Sequence, residues 1–433
     1  MSAVPYDRPG SWRPAAGVAN YRIRLATLLP AMQLAYVVLI WPLIYARGTV
    51  TADLATGPMP ETQSFLLNRL FFPALAAMAV LILLAERRRL ARFHLAGLVL
   101  LTALFCYLGL TTLWALAPSV TLSKFALLAI TVTSLAVAVL LAPRVDDLVR
   151  PIFWVMAATV AINLVAVAAL PPTPIGYAGI YAHKNTLGAM SALAGLFAFY
   201  GITRRNGRMR AAGVAMLPAA LLLLYLSQSK TSLGLFLSVP PLALAVVLVQ
   251  RAFRVPVLLT VLVSVVPAVF VLAGGVPGLS VGDISLAVSG DDTFTGRTDL
   301  WHFALSAIAE RPLQGFGYQS FWQIGDLSPA LDGPDGFLRR TPHAHNGYLD
   351  LLLQGGAILL ALFCAALAMA VGWAGRLADR DPGAGFFAIA VLLFLIVLDL
   401  LETVWLEGLS ASGTIAILFI LMAAVRRGRS PLA

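Results

Sequence analysis

Apolar runs of roughly twenty residues recur from one end of the chain to the other, each bounded by charge, proline or glycine. In hydrocarbon every backbone N–H and C=O must find a partner inside the protein, so runs of this length fold as helices. The spans predicted from the pattern are 25–46, 65–85, 95–115, 122–142, 151–170, 185–202, 212–228, 231–250, 255–273, 346–371, 386–405 and 411–425. The expected fold class is an all-α, polytopic membrane protein with about 12 transmembrane helices and one long loop. Composition agrees: 60% of residues are hydrophobic and 12% charged, against about 25% charged in a soluble domain. A soluble globular enzyme and a disordered chain are excluded.

The net charge of +10 reads as topology. With the N-terminus inside, clusters such as Arg87–Arg89, Arg204 with Arg205, and Arg426 with Arg427 fall in alternate connections, and 21 of the 30 lysines and arginines lie on the inner side. That is the positive-inside pattern, and it needs no nucleic acid. Residues 1–24 lack an apolar stretch ending in a small-residue cleavage site, so the first span reads as an uncleaved anchor. The expected segments are a cytoplasmic N-terminal stretch 1–24, helices one to nine over 25–273, and a periplasmic loop with short helices over 274–344. Helices ten to twelve over 345–425 and a cytoplasmic tail over 426–433 complete the chain. Cys106 and Cys364 both sit in apolar runs, which argues against a disulfide framework or a cysteine metal site.

Loops as long as 274–344 are uncommon unless functional. Within this one, Thr295 is a candidate N-cap for a helix with Leu300, Ala304, Ala307 and Ile308 on its apolar face, ended by Pro312. Phe321-Trp322 reads as a contact with the bilayer surface. Polar residues elsewhere gather at the same depth: His183-Lys184-Asn185 opening the sixth span, Lys230 at the turn between the seventh and eighth, and Asp350 near the start of the tenth. Asp399 and Glu402 stand at i,i+3 near the outer end of the eleventh span. Acids within a membrane are costly and point to function, so these residues predict a polar cavity open to the outer face.

The order of motifs resembles the O-antigen ligase and polysaccharide polymerase superfamily. His345-Asn346 followed by Gly356 is similar to its histidine motif, and Gly296-Arg297-Thr298-Asp299-Leu300-Trp301 to its loop arginine segment. Tyr181–Thr186 and Ser227–Ser232 resemble the exopolysaccharide-polymerase branch. Leu359 and Lys230 depart from the ligase pattern, which favours a polymerase. The resemblance implies a glycosyltransferase of the lipid-sugar-using (GT-C-like) membrane type, with no metal or other cofactor. It joins polyprenyl-pyrophosphate-linked oligosaccharides at the periplasmic face of a bacterial inner membrane. Its partners would be that donor, a glycan or lipid acceptor, the bilayer, and chain-length-control and flippase proteins. The alternatives are a ligase moving the glycan to lipid A-core or another acceptor and, from a different class, a secondary transporter using Lys230, Asp350 and Asp399.

That chemistry needs a cation for the leaving pyrophosphate and a base for the attacking hydroxyl. Arginine offers phosphate a planar, bidentate fork, which makes Arg297 the first candidate, with Lys230, Lys184, His183, Arg340, Asn346 and Asp350 as further substrate contacts. Neutral imidazole can accept the hydroxyl proton, and His345 is the candidate base. Each has a plainer reading. The lysines can snorkel from helix ends, Arg297 can pair with Asp299 in water, and His343 with His345 can face solvent. A metal pair would need further ligands.

Overall fold

The computed structural model describes residues 16–44, 66–270, 297–332, 341–407 and 410–426. The first helix, α1 (Ala16–Ala35), runs on through a π turn at Tyr36–Ile40. It is followed by α2 (Leu66–Glu86), α3 (Leu95–Leu110), α4 (Pro118–Leu141), α5 (Val145–Ala169), α6 (Lys184–Thr203), α7 (Gly207–Ser227), α8 (Lys230–Phe253) and α9 (Val257–Phe270). The loop helix is α10 (Arg297–Glu310), and α11 (Gly347–Arg380), α12 (Pro382–Leu398) and α13 (Ala411–Ala424) complete the set. Nine of the described helices are long and apolar enough to cross a membrane, and α9, α12 and α13 are shorter apolar helices. The protein is an all-α polytopic membrane protein. Its described extended structure is one short antiparallel pairing, Arg92–Phe93 with Val425–Arg426.

Burial follows hydrophobic patterning. A helix that is apolar all round can face either lipid or protein, and here α13 is the inner one: all fourteen of its residues are buried, as are most of those in α12. Outer helices instead present large apolar side chains such as Leu81 and Leu84 on α2 and Val263 on α9, the surface a lipid-facing helix needs. One end of the bundle is arginine-rich: Glu86 lies between Arg22 and Arg89, and Arg204 bridges Asp146 and Asp381 at 3.4 and 2.9 Å. The acids and histidines singled out above collect at the other end.

Several boundaries differ from expectation. Helix α1 starts at Ala16, ahead of the apolar run, because a helix need not end where the hydrocarbon does. Helix α11 continues to Arg380. The eleventh span, expected over 386–405, is Pro382–Leu398: Asp381 caps it by accepting from Ala384 N, and Asp399 ends it. Asp399 and Glu402 therefore do not share a helical face. They lie in and after the cap, in an irregular segment buried within the protein. Phe321, expected at the bilayer surface, is 1% exposed and packs with Ala304, Phe316 and Leu353 in a second small core. Thr295 lies outside the described residues.

The feature that positions the loop is a break in α11. Gly356 has φ 63° and ψ −163°, a region essentially reserved for glycine. The break releases backbone groups, and the loop takes them up. Phe316 N donates to Leu353 O at 2.7 Å and Gly317 N to Gln354 O at 3.0 Å, while Ala357 N donates to Pro312 O at 2.8 Å. Tyr107 on α3 donates to Gly355 O at 2.8 Å. On the far side, Leu116 N donates to Phe316 O and Tyr318 N to Thr111 Oγ1. The segment 312–321 is thus threaded between α3, α4 and the break. A Cβ at Gly356 would stand 2.2 Å from the Leu313 carbonyl carbon. Gly356→Ala is expected to cost at least about 1–3 kcal/mol from backbone strain alone, read as a lower unfolding temperature in detergent. Gly372→Ala, where the nearest atom is the flexible end of Arg376 at 3.6 Å, should be neutral or stabilising. Equal melting of the two variants would remove the break as a structural requirement.

Candidate active site beneath the loop

The histidine loop is built by clamping one residue. Ala344 N donates to both carboxylate oxygens of Asp350, at 3.0 and 3.2 Å, and Ala344 O accepts from Trp301 Nε1 on α10 at 3.0 Å. Asn346 caps α11 by accepting from Tyr348 N and Leu349 N. Between these fixed points His345 adopts φ 49°, a left-handed conformation uncommon for a non-glycine residue. Gly347 follows, its N–H donating to the carbonyls of Asp399 and Glu402. A Cβ there would fall 1.8 Å from Asp399 Oδ2, so only glycine lets α11 start this close to the end of α12.

That contact carries Glu402 into the site. Arg297 Nη2 donates to its Oε1 at 2.9 Å, and His345 Nδ1 lies 3.2 Å from its Oε2. Asn185 Nδ2, in the first turn of α6, is 3.5 Å from Oε1. Burial alone would raise the Glu402 carboxyl. The hydrogen bond from His345 and the charge of Arg297 outweigh it and hold the group below its ordinary value. An ionised carboxylate only accepts, so the His345 proton sits on Nδ1. When the ring is neutral, Nε2 is then the acceptor, the arrangement a general base requires. His343 stacks edge-on against His345 at 4.2 Å and accepts from its backbone N–H at 3.2 Å. Burial, then the charge of His345, push His343 down to about 3, so it is neutral at physiological pH.

The remaining candidates divide by placement. His183 caps α6, accepting from Asn185 N, and lies within electrostatic reach of Glu402, Lys184 and His345. Lys184 opens α6 and donates to Gln228 O at 3.4 Å, while exposed Lys230 opens α8 two residues beyond. Helix N-termini carry partial positive charge, so both lysines stand where an anion is favoured. Asn346 and Asp350 are occupied internally. Besides Ala344, the 2%-exposed Asp350 accepts from Trp322 Nε1 at 2.8 Å and Thr403 Oγ1 at 2.6 Å. Arg340 lies outside the described residues. Asp350 also lines a small pocket with His343, Gln354, Thr403 and Glu407. Burial, then the charge of Asp350, push the Glu407 carboxyl up to about 7. Among the described residues no group of three or more His, Cys, Asp or Glu could hold a metal ion.

Asp350 is therefore expected to act as the anchor of the histidine loop. Asp350→Ala strands three buried donors, each costing about 1–3 kcal/mol when unpaired. It should lower stability by several times the loss in Asp350→Asn, which retains an acceptor. Chemical unfolding of the two variants in detergent decides this, and equal stability of both with the wild type would overturn the anchor role.

Residues 214–364 match the O-antigen ligase family, a stretch that holds Lys230, Arg297, His345 and Asp350 but ends before Glu402. The chain is also similar to the exopolysaccharide production protein ExoQ of Rhizobium meliloti (strain 1021), at 34% identity over 233 residues. That alignment covers 50% of this chain and 52% of the relative, so the chain matches about half the length of its curated relative. The fold makes this an integral membrane protein, and its residues 214–364 are similar to the O-antigen ligase family.

Proposed function

We propose that the protein is a metal-independent glycosyltransferase that polymerises polyprenyl-pyrophosphate-linked oligosaccharides for exopolysaccharide, on the periplasmic face of a bacterial inner membrane. The observation that carries this reading is the meeting of Arg297 and His345, far apart in sequence, on the two oxygens of Glu402. A phosphate-binding cation and an oriented imidazole within one carboxylate's width suit glycosyl transfer from a pyrophosphate. In this mechanism the acceptor hydroxyl attacks the anomeric carbon and its proton passes to Nε2 of His345. The bond from that carbon to the pyrophosphate oxygen breaks, and Arg297, aided by Lys184 and Lys230, stabilises the charge that develops there. The donor is already activated, so the chemistry requires no metal. His183 flanks the cations, and Asn346 and Asp350 hold the loop. Arg340, within the same loop, remains a proposed donor contact.

The proposed topology has both termini in the cytoplasm and the loop 274–344 in the periplasm, between helices one to nine and the last three, in a GT-C-like arrangement. The arginine-rich end then faces the cytoplasm, as the positive-inside rule asks. A secondary transporter would use a broken helix to coordinate its ion. Here the carbonyls released at Gly356 are taken by loop N–H groups and by Tyr107. Transfer to lipid A-core by a ligase is the alternative acceptor chemistry, and the similarity to an exopolysaccharide production protein favours the polymerase.

Purified protein incubated with undecaprenyl-pyrophosphate-linked repeat units should lengthen the glycan. Transfer to lipid A-core without lengthening would replace the polymerase by the ligase. His345→Ala should lower turnover by about 10²–10⁴-fold, the usual worth of general-base catalysis, with donor binding retained. Arg297→Lys should weaken donor binding as well, because it loses the fork. Full activity in both variants would overturn the assignment. For topology, a cysteine placed at exposed Asp326, in a chain lacking Cys106 and Cys364, should react with an impermeant maleimide in intact spheroplasts. Labelling only in inverted vesicles would reverse the orientation.

A further inference from the structure

Glu402 spends one carboxylate on two partners of opposite use. Oε1 is 2.9 Å from Arg297 Nη2 and Oε2 is 3.2 Å from His345 Nδ1. The three side chains are 21%, 9% and 26% exposed respectively, so their charges act on one another more strongly than in water. We propose that Glu402 couples donor binding to the basicity of His345: a pyrophosphate that engages Arg297 draws it off Oε1, and the undivided carboxylate charge then acts on the imidazole. The proposal rests on the roles given above to Arg297 and His345.

The coupling is electrostatic. With the guanidinium bound, the Glu402 charge is largely neutralised as seen from His345. A phosphate oxygen offers Arg297 a competing and stronger bidentate partner, and its own charge offsets the guanidinium. An opposite charge within about 4–6 Å favours the protonated imidazole by about 1–3 pH units, so loss of the competing cation strengthens the base when substrate is present. Nδ1 keeps its proton throughout. The other ionisable groups facing this pair are His183 and Lys184 at the start of α6, His343 in the same loop, and Asp350 in the first turn of α11. His343 contributes no charge at neutral pH, Asp350 is held by its own four hydrogen bonds, and His183 and Lys184 lie on the side where the donor anion is proposed to bind. None of these is the group whose pairing the donor is proposed to exchange; that group is Arg297.

The test reads the base itself. The chain has five histidines, and ¹⁵N-histidine labelling, with His345→Gln to assign the signal, follows the titration of His345 in detergent. Adding undecaprenyl pyrophosphate should move that titration upward by about one unit in the wild type and by clearly less in Glu402→Gln, where only the charge of the donor itself acts. In turnover, Glu402→Gln should lower kcat by about 10–100-fold without raising the donor KM, and should displace the acid limb of the pH profile. Glu402→Asp, which keeps the charge, should restore most of the shift, and this variant carries the test should the glutamine form fail to fold. A His345 titration indifferent to undecaprenyl pyrophosphate in the wild type overturns the coupling. So does a Glu402→Gln enzyme with unchanged kcat and pH profile while His345→Ala and Arg297→Lys are impaired. If those two variants are themselves fully active, it is the proposed function that falls.

Discussion

Inside a membrane a broken helix has to find partners for every backbone group it releases, and the break in α11 at Gly356 governs the rest of this architecture. Its free carbonyls could have been left to water or an ion. They are taken instead by N–H groups of the segment after α10, which fixes that segment against the bundle by main-chain bonds that do not depend on side-chain choice. Once it is fixed, α10 has one place to lie, with Leu300 and Ala304 fully buried and Trp301 reaching Ala344 O. The position of Arg297, first residue of α10, is then a consequence of hydrogen bonds made at a break nearly sixty residues further on.

A second constraint acts on charge. Glu402 is ionised because two donors with positive character meet it, whereas Asp350 is surrounded by the neutral donors Trp322, Thr403 and Ala344 N. The first arrangement can be undone by a competing anion. The second cannot, because no ligand replaces three donors drawn from three segments of the chain. The two acids therefore suit different work, one responsive and one fixed, although both read as costly intramembrane carboxylates from the sequence.

The sequence read alone located the helices because lipid imposes one solution on a long apolar run. It also brought out Arg297 and His345, since residue type and order carried a resemblance. What it could not show lies where polar residues leave regular structure. The apolar run before Asp399 continues through Leu400 and Leu401, and hydropathy extended the helix to 405. The helix instead ends at Asp399, and Gly347 N donates to the Asp399 and Glu402 carbonyls at that end. Glu402 thus appeared as a helical neighbour of Asp399 rather than as the partner of two residues 57 and 105 positions away. Phe321 departs from expectation for a related reason: aromatic pairs mark bilayer interfaces and small cores alike, and only the anchored loop decides between them. The Leu-Glu-Thr step at 401–403, an acid in an otherwise apolar stretch, was the available signal.

The two ends of the bundle make the functional argument by contrast. Both carry ion pairs. At the arginine-rich end, the Arg150–Asp146 pair is half exposed, and such pairs are worth about 0–1 kcal/mol. Arg204 there is held by two aspartates and stacked on Tyr200, which locks α5, α6 and the start of α12 together. At the other end, Arg297 and Glu402 are nearly buried, and burying a pair commonly costs as much as it returns. Stability alone gives no reason to place an arginine, a glutamate and a left-handed histidine together under a loop, when apolar residues of similar size would serve. A requirement for a cation and an oriented imidazole that a lipid-borne anion can reach does give one.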